Sequence, residues 1–311
     1  MSERTLEQKT QAPLADKDVA GLDIGLYLMT VLVWGTSWIA LKWQLGVVAP
    51  EVSVFWRFLA AALVMVVWLA LSGKTWRFPI SLHLRFAAMG ACLFCFNYFF
   101  FYIGGAVLPS GLLSVIFSMA SVINLFLAAL VLGAKLSGRS LLAAAIGVVG
   151  IACLFWPEVV GAELNLDALK ALLLCLLATT IFCIGNMISA GLQRRRIPVV
   201  SATTWGMIYG TSFLGVIGLA RGQAFIVEES LRYLGSLAYL AVFASVIAFA
   251  GYLTLLGRIG AGRAGYATVL FPVVAMAISS VLEGYSWTWI AIVGVVLALG
   301  GNVLILTGAR R

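Results

Sequence analysis

The sequence predicts an all-α membrane protein: ten transmembrane helices in two inverted five-helix repeats around a central cavity. Three observations predict it. Hydrophobic residues fill 63% of the 311 positions and charged residues only 10%, against roughly 25% charge in a soluble domain, so polar groups cannot cover the surface. The apolar residues are gathered into runs close to the ~20 residues that a spanning helix needs. Finally, a phrase in mid-chain returns later. Tyr98, a Gly-punctuated turn, the small pair Ser110-Gly111 and Phe117 are echoed by Tyr252, a second Gly-punctuated turn, Ala264-Gly265 and Phe271.

Residues 1–23 are polar and mixed in sign, with no apolar core of a signal peptide, and read as a disordered cytoplasmic tail. Cutting the rest at charges, Pro and Gly clusters gives segments 24–42, 52–71, 84–104, 110–132, 140–156, 168–190, 199–219, 233–256, 264–282 and 289–307. The segments at 140–156 and 289–307 are the tersest. Separators are short, so no soluble domain is inserted. The expected organisation is a first repeat over 24–156, a periplasmic linker at 157–167 and a second repeat over 168–311. Val52-Ser53 ahead of Trp56 is echoed by Val200-Ser201 ahead of Trp205, and each half closes on a Gly-rich helix (Gly147, Gly150; Gly294, Gly300, Gly301). Inverted repeats place a substrate near the bilayer midplane, between the halves.

Charge sets the orientation. Lys74, Arg77, Arg85, Lys135, Arg139, the run Arg194-Arg195-Arg196, Arg258 and Arg263 fall on the same side as both termini. Glu51, Glu158, Glu163, Asp167, Glu228 and Glu229 fall on the other. Basic loops stay inside, so both ends are expected in the cytoplasm. The net charge of +8 is spread in short clusters between apolar runs; without a contiguous basic stripe it does not describe a nucleic-acid binder.

The reactive residues exclude several chemistries. All five cysteines lie in apolar segments, and Cys92-x-x-Cys95 has no second pair to complete a metal or redox site. The one histidine, His83, sits in what reads as a basic loop. No Ser–His pair, Asp dyad or metal cluster is available to an intramembrane enzyme, and no cofactor is expected. A channel would want a symmetric oligomer, whereas internal duplication makes a monomer sufficient.

Polar groups inside spans are costly and are pathway candidates by default. Trp34, Trp38, Asn97, Tyr98, Tyr102, Ser118, Asn186, Tyr209 and Tyr252 are the expected substrate-binding residues, Tyr98 and Tyr102 sharing one face at i, i+4. Thr36, Ser37, Ser114, Ser121, Asn124, Ser245 and Thr268 are further polar positions in the spans. The competing reading for Ser and Thr is a bond to their own helix. Pro272, Gly111 and Gly265 are expected kinks or gates. Trp68, Trp76, Trp156 and Trp287 read as interfacial anchors. Arg57 is expected to snorkel or to find a partner, Glu51 being too far along the same helix. No carboxylate falls in mid-span, since Asp23 precedes the first segment and Glu283 ends the ninth.

Trp34-Gly35-Thr36-Ser37, Arg57-Phe58, Val107-Leu108-Pro109-Ser110-Gly111 and Leu282-Glu283-Gly284 together resemble the drug/metabolite transporter superfamily, with two tandem EamA-type units. The resemblance covers nearly the whole chain after residue 23. In length and aromatic content the chain is similar to the aromatic amino-acid exporters of bacterial inner membranes. That likeness implies a monomeric carrier exporting aromatic and other neutral amino acids, or related metabolites, by alternating access. Aromatic faces would attract an ammonium group, and Asn, Tyr and Ser would supply hydrogen bonds of modest strength. The family's usual Gly-Glu at the end of each repeat's fourth helix is Gly133-Ala134 in one half and Glu283-Gly284 in the other, so the role of that Glu is asymmetric here. Small multidrug antiporters resembling half of this chain use a buried mid-span Glu; its absence argues against tight proton coupling. The alternatives on the same fold are a multidrug or organic-cation carrier and a nucleotide-sugar carrier. The latter would want basic residues in the cavity, and the spans hold almost none beyond Arg57.

Overall fold

The computed structural model describes residues 16–132, 136–160, 165–259 and 267–308, and every regular element among them is helical. Helix α1 is Asp16–Lys42 and α2 is Pro50–Leu71. Helix α3, Ile80–Gly90, runs through a π-helical stretch, Ala91–Phe96, into α4, Asn97–Val107. Then come α5 (Ser110–Ser118), α6 (Ala120–Leu132), α7 (Gly138–Val160), α8 (Leu166–Arg194) and α9 (Val199–Ala220). Helix α10, Leu231–Ala238, passes through a second π-helical stretch, Tyr239–Ile247, into α11, Ala248–Ile259. Helices α12 (Ala267–Leu282) and α13 (Trp289–Gly308) finish the chain.

The sequence marks the ends of these helices. Pro50 opens α2, and Pro79, Pro109 and Pro198 stand just before α3, α5 and α9, where a missing N–H costs nothing. Asn165 and Ser230 accept from the backbone N–H groups of Ala168 and Tyr233 at 3.0 and 3.2 Å, each satisfying a donor the helix leaves free. Gly73, Gly222 and Gly284, with φ of 62°, 66° and 68°, take the left-handed turn that ends a helix.

Among the described residues, eight stretches are long and apolar enough to cross a membrane: Gly21–Lys42, Pro50–Leu71, Ile80–Val107, Ser110–Val131, Gly138–Val159, Leu166–Arg194, Leu231–Tyr252 and Trp289–Thr307. In hydrocarbon only a helix or a closed barrel satisfies its own backbone, so this is a multi-pass helical membrane protein. The two tersest segments prove long enough. The segment at 199–219 is helical but falls outside the eight because Ser201, Thr203, Thr204 and Thr211 lower the apolarity of α9, and α12, within the segment at 264–282, is shorter at 16 residues.

Three expected boundaries move. Helix α1 already begins at Asp16, inside the expected tail, and α7 continues through Pro157 into the expected linker. His83 lies in the first turns of α3 because Pro79 starts that helix earlier than the charges suggested.

The core runs through both halves. Helices α7 and α13 share the largest contact in the bundle, and α2 packs on α9. Helix α1 packs on α11 and α12 of the second half; α8 packs on α4, α5 and α6 of the first.

Candidate functional site

Between these helices lies a cavity of about 590 Å³. Helix α1 gives it Trp34, Ser37, Trp38 and Leu41, one face at helical spacing. Across from them α8 gives Phe182, Asn186, Ser189 and Gln193 at the same spacing. The two π-helical stretches also reach the wall, through Leu93 and Phe94 in one and Ala244 and Ser245 in the other. Extra residues in a helical turn re-aim the side chains that follow. Here those are Asn97 and Tyr98 after the first stretch, and Phe249 and Tyr252 after the second.

Aromatic rings are spread through the wall, eleven of them. Trp34 lies 5.0 Å from Tyr252 and 6.3 Å from Phe271, centroid to centroid. Trp38 lies 5.1 Å from Phe101 and 5.7 Å from Phe117, which touches Phe182 at 4.6 Å. These tilted and edge-on pairs hold one another in place. The indole N–H of Trp34 donates to the carbonyl of Ala244 at 3.3 Å, which ties α1 to the second π-helical stretch.

Two polar side chains on the wall stand apart. Arg57 is 2% exposed. Its Nε and Nη2 both donate to Ser245 Oγ at 3.2 Å, and its guanidinium sits 4.3 Å from the ring centroid of Tyr98 and 5.2 Å from that of Phe58. Asn97 is 1% exposed, and its Oδ1 has no hydrogen-bond partner in the protein. Arg57 therefore neither snorkels nor pairs with Glu51, which takes Arg221 at 2.7 Å instead. The cavity carries a fixed positive charge that sequence reasoning placed elsewhere. The available signal was the charge itself, inside an apolar span with no partner one helical turn away.

The cavity is open at one end and shut at the other. Gln193 and Ala190, on the wall near Arg194, are exposed, while Leu41 and Phe101 at the other end are 2% and 1% exposed. Beyond Leu41 lies a polar seal. Lys42 Nζ donates to the carbonyls of Gly105 and Leu108 at 2.6 and 3.1 Å and lies 3.9 Å from Glu283. The Glu283 carboxylate accepts from Ser110 N at 2.9 Å and from Ser110 Oγ, so it caps α5 from the end of α12. A carboxylate at a helix N-terminus meets both free N–H groups and the positive end of the dipole. The seal thus joins α1, α4, α5 and α12.

Of the expected binding residues, Trp34, Trp38, Asn97, Tyr98, Asn186 and Tyr252 line the cavity; Tyr102, Ser118 and Tyr209 do not. Tyr102 is fully buried and donates to Gln44 Oε1 at 2.5 Å, so it fastens α4 to the turn after α1. Ser118 is fully buried and donates to the Val115 carbonyl at 2.7 Å, satisfying its own helix. Tyr209 hydrogen-bonds His83 Nδ1 at 3.0 Å beside Trp205, joining α9 to α3 away from the cavity. Gly111 marks close packing of α5 on α12: a Cβ there would sit 2.6 Å from Met276 Sδ and 3.0 Å from its Cα. Gly265 lies outside the described residues. Pro272 is buried inside α12, next to the wall residue Phe271.

Comparison with known proteins covers the same span. Residues 22–156 and 169–307 match the EamA-like transporter family. The chain is 26% identical over 297 residues to a "Probable amino-acid metabolite efflux pump" of Salmonella typhimurium, covering 92% of this chain and 95% of that protein. It is 25% identical, with the same coverage, to a protein of that name from Escherichia coli. Among solved structures, one titled "Crystal structure of protein" superimposes with a TM-score of 0.67 at 15% identity, over 94% of this chain and 98% of that one. That likeness concerns the fold.

Proposed function

This chain belongs to the EamA-like transporter family, and from that premise we propose that it exports neutral amino acids, aromatic ones included, across a bacterial cytoplasmic membrane by alternating access. The observation that carries the reading is the cavity between the halves, aromatic-walled, open at one end and sealed at the other. A carrier needs this arrangement, because cargo must reach a site from one side while the other is shut. The printed names of the two bacterial relatives support amino-acid metabolites as the cargo class.

Counting α9 and α12 with the eight apolar stretches makes ten spans, five up to and including α7 and five from α8 onward. Two features support inverted repeats. Helix α1, first in its half, ends at the seal with Lys42, whereas α8, first in the other half, ends at the mouth with Arg194. The contacts are also reciprocal: α1 lies on the second half's α11 and α12 as α8 lies on the first half's α4, α5 and α6. With the Arg194-Arg195-Arg196 run in the cytoplasm, the mouth faces inward and the seal faces the periplasm. Trp34, Trp38, Asn97, Tyr98, Asn186 and Tyr252 are then the cargo-contacting residues.

Counterflow in proteoliposomes against the twenty amino acids and one quaternary cation tests this. Saturable exchange of neutral amino acids is expected; exchange of the quaternary cation alone overturns the reading. Collapse of a pH gradient should leave most of the flux, because no carboxylate lines the cavity among the described residues. Strict dependence on the gradient would refute loose coupling.

A further inference from the structure

We propose that Arg57 is the seat for a carboxylate of the cargo, with Asn97 Oδ1 as the acceptor for its ammonium group, so that the cavity selects carboxylates and zwitterions over amines. The proposal rests on the cavity being the cargo site, and it adds which chemical groups are read and by which residues.

Arg57 lies on the wall with its charge uncompensated. None of the ion pairs among the described residues uses it. Its described partners, the hydroxyl of Ser245, the phenol of Tyr102 and the rings of Tyr98 and Phe58, are all neutral. A guanidinium held at 2% exposure without a counter-ion has lost water and gained little in exchange. Ring faces recover part of that loss and hold the planar group in one orientation. A carboxylate arriving with the cargo would recover the rest, through the paired N–H geometry that distinguishes Arg from Lys.

Asn97 supplies the complementary end. An amide oxygen accepts up to two hydrogen bonds; Asn97 lines the same cavity at 1% exposure, and its Oδ1 receives none. Tyr98, its neighbour in sequence, is the ring beneath the guanidinium. One donor-rich cation and one empty acceptor, carried on α2 and α4 around a shared aromatic wall, supply the two kinds of partner that the charged end of an α-amino acid requires. Arg57 repels a plain ammonium ion that enters the cavity. Arg57 and Asn97 are positioned from different elements by Ser245 and by the first π-helical stretch. The pairing is therefore a property of the assembled bundle.

The experiment uses the full chain in proteoliposomes and three probes of one shape: phenylalanine, 3-phenylpropionate with the carboxylate alone, and phenethylamine with the ammonium alone. Each is measured as a competitor of counterflow. Wild type should rank them in that order, with phenethylamine weaker than phenylalanine by about ten- to a hundredfold, the worth of a charge-assisted hydrogen bond. Arg57→Gln should abolish the gap between phenylalanine and phenethylamine, and Arg57→Lys should restore part of it. Asn97→Leu should erase the gap between phenylalanine and 3-phenylpropionate only. Equal competition by phenethylamine in wild type, failure of both carboxylates to compete, or an unchanged ranking in Arg57→Gln overturns the proposal. Should Arg57→Gln not fold, the wild-type ranking decides it alone. Amino acids exchanged without regard to the carboxylate would leave the export reading standing and remove the seat. Exchange of 3-phenylpropionate that needs Arg57, with no amino acid carried, would do the reverse.

Discussion

Two of the seams between the halves differ in kind. Where α7 meets α13 the backbones nearly touch: a Cβ at Gly150 would sit 2.3 Å from Ala298 N, and one at Gly294 would sit 2.4 Å from Leu154 N. Around the cavity, by contrast, Trp34, Trp38, Tyr98, Phe117, Phe182 and Tyr252 stand between α1, α4, α5, α8 and α11, and an open space remains. In a bilayer, helices gain nothing from hiding oil from oil, so small residues that permit close approach make the firm contacts. The first seam is built to stay; the second is filled by side chains that can part. A carrier needs both, one contact to hold the halves together and one to rearrange around cargo.

Breaking the first seam should have the largest effect. Gly150→Leu or Gly294→Leu has no space to enter and must drive the helices apart, at a cost of about 3 kcal/mol or more. Loss of monodisperse, thermally stable protein is the expected result; an unshifted melting temperature would mean the seam gives way easily. Next comes the aromatic wall. Trp34→Ala removes the ring against Tyr252 and Phe271 and the bond to Ala244, and amino-acid flux should fall about tenfold with the protein still folded. Equal loss of flux and of folded protein would mean that Trp34 serves the fold alone.

The seal should respond less. Glu283→Gln keeps a side chain at the start of α5 but removes the charge that faces Lys42 and the helix dipole, a change of about 1–2 kcal/mol. A cysteine introduced at Leu41 should then label about fivefold or more faster from the sealed side with an impermeant maleimide. Unchanged labelling would show that the seal is held by packing. Trp156→Ala, on a ring 56% exposed at the rim of α7, should change stability and flux least, within about 0.5 kcal/mol. A loss as large as that of Trp34→Ala would erase the distinction between wall and rim.

Much of the bundle was legible because its signals are local. Apolar run length, Pro50, Pro79, Pro109 and Pro198 at helix starts, and Gly73, Gly222 and Gly284 at helix ends each act through their own backbone. The cavity residues on α1 were legible for a related reason: Trp34, Ser37 and Trp38 share a face at helical spacing. Tyr98 and Tyr102 show where that reasoning stops. They share a face of α4, yet Tyr98 reaches the cavity while Tyr102, one turn on, meets Gln44. The turn after α1 closes over that end of the bundle, and no spacing in α4 records it. Tyr209 was lost to His83 for the same cause, since α3 begins a turn earlier than its charges implied.

Composition and run length alone determined that the chain folds as membrane-spanning helices, because a backbone in hydrocarbon must bond to itself whatever its neighbours are. Repeated phrases and Gly-rich final segments in the sequence fall within the two stretches, 22–156 and 169–307, that match the EamA-like family. Only the tertiary structure decided which polar groups face the cavity, which end is shut, and where Arg57 sends its charge. Those outcomes depend on pairs such as Arg57 with Ser245, 188 residues apart, and Ser110 with Glu283, 173 apart. A side chain's surroundings across such distances are set by how helices cross, and crossing is fixed by packing that no single segment contains.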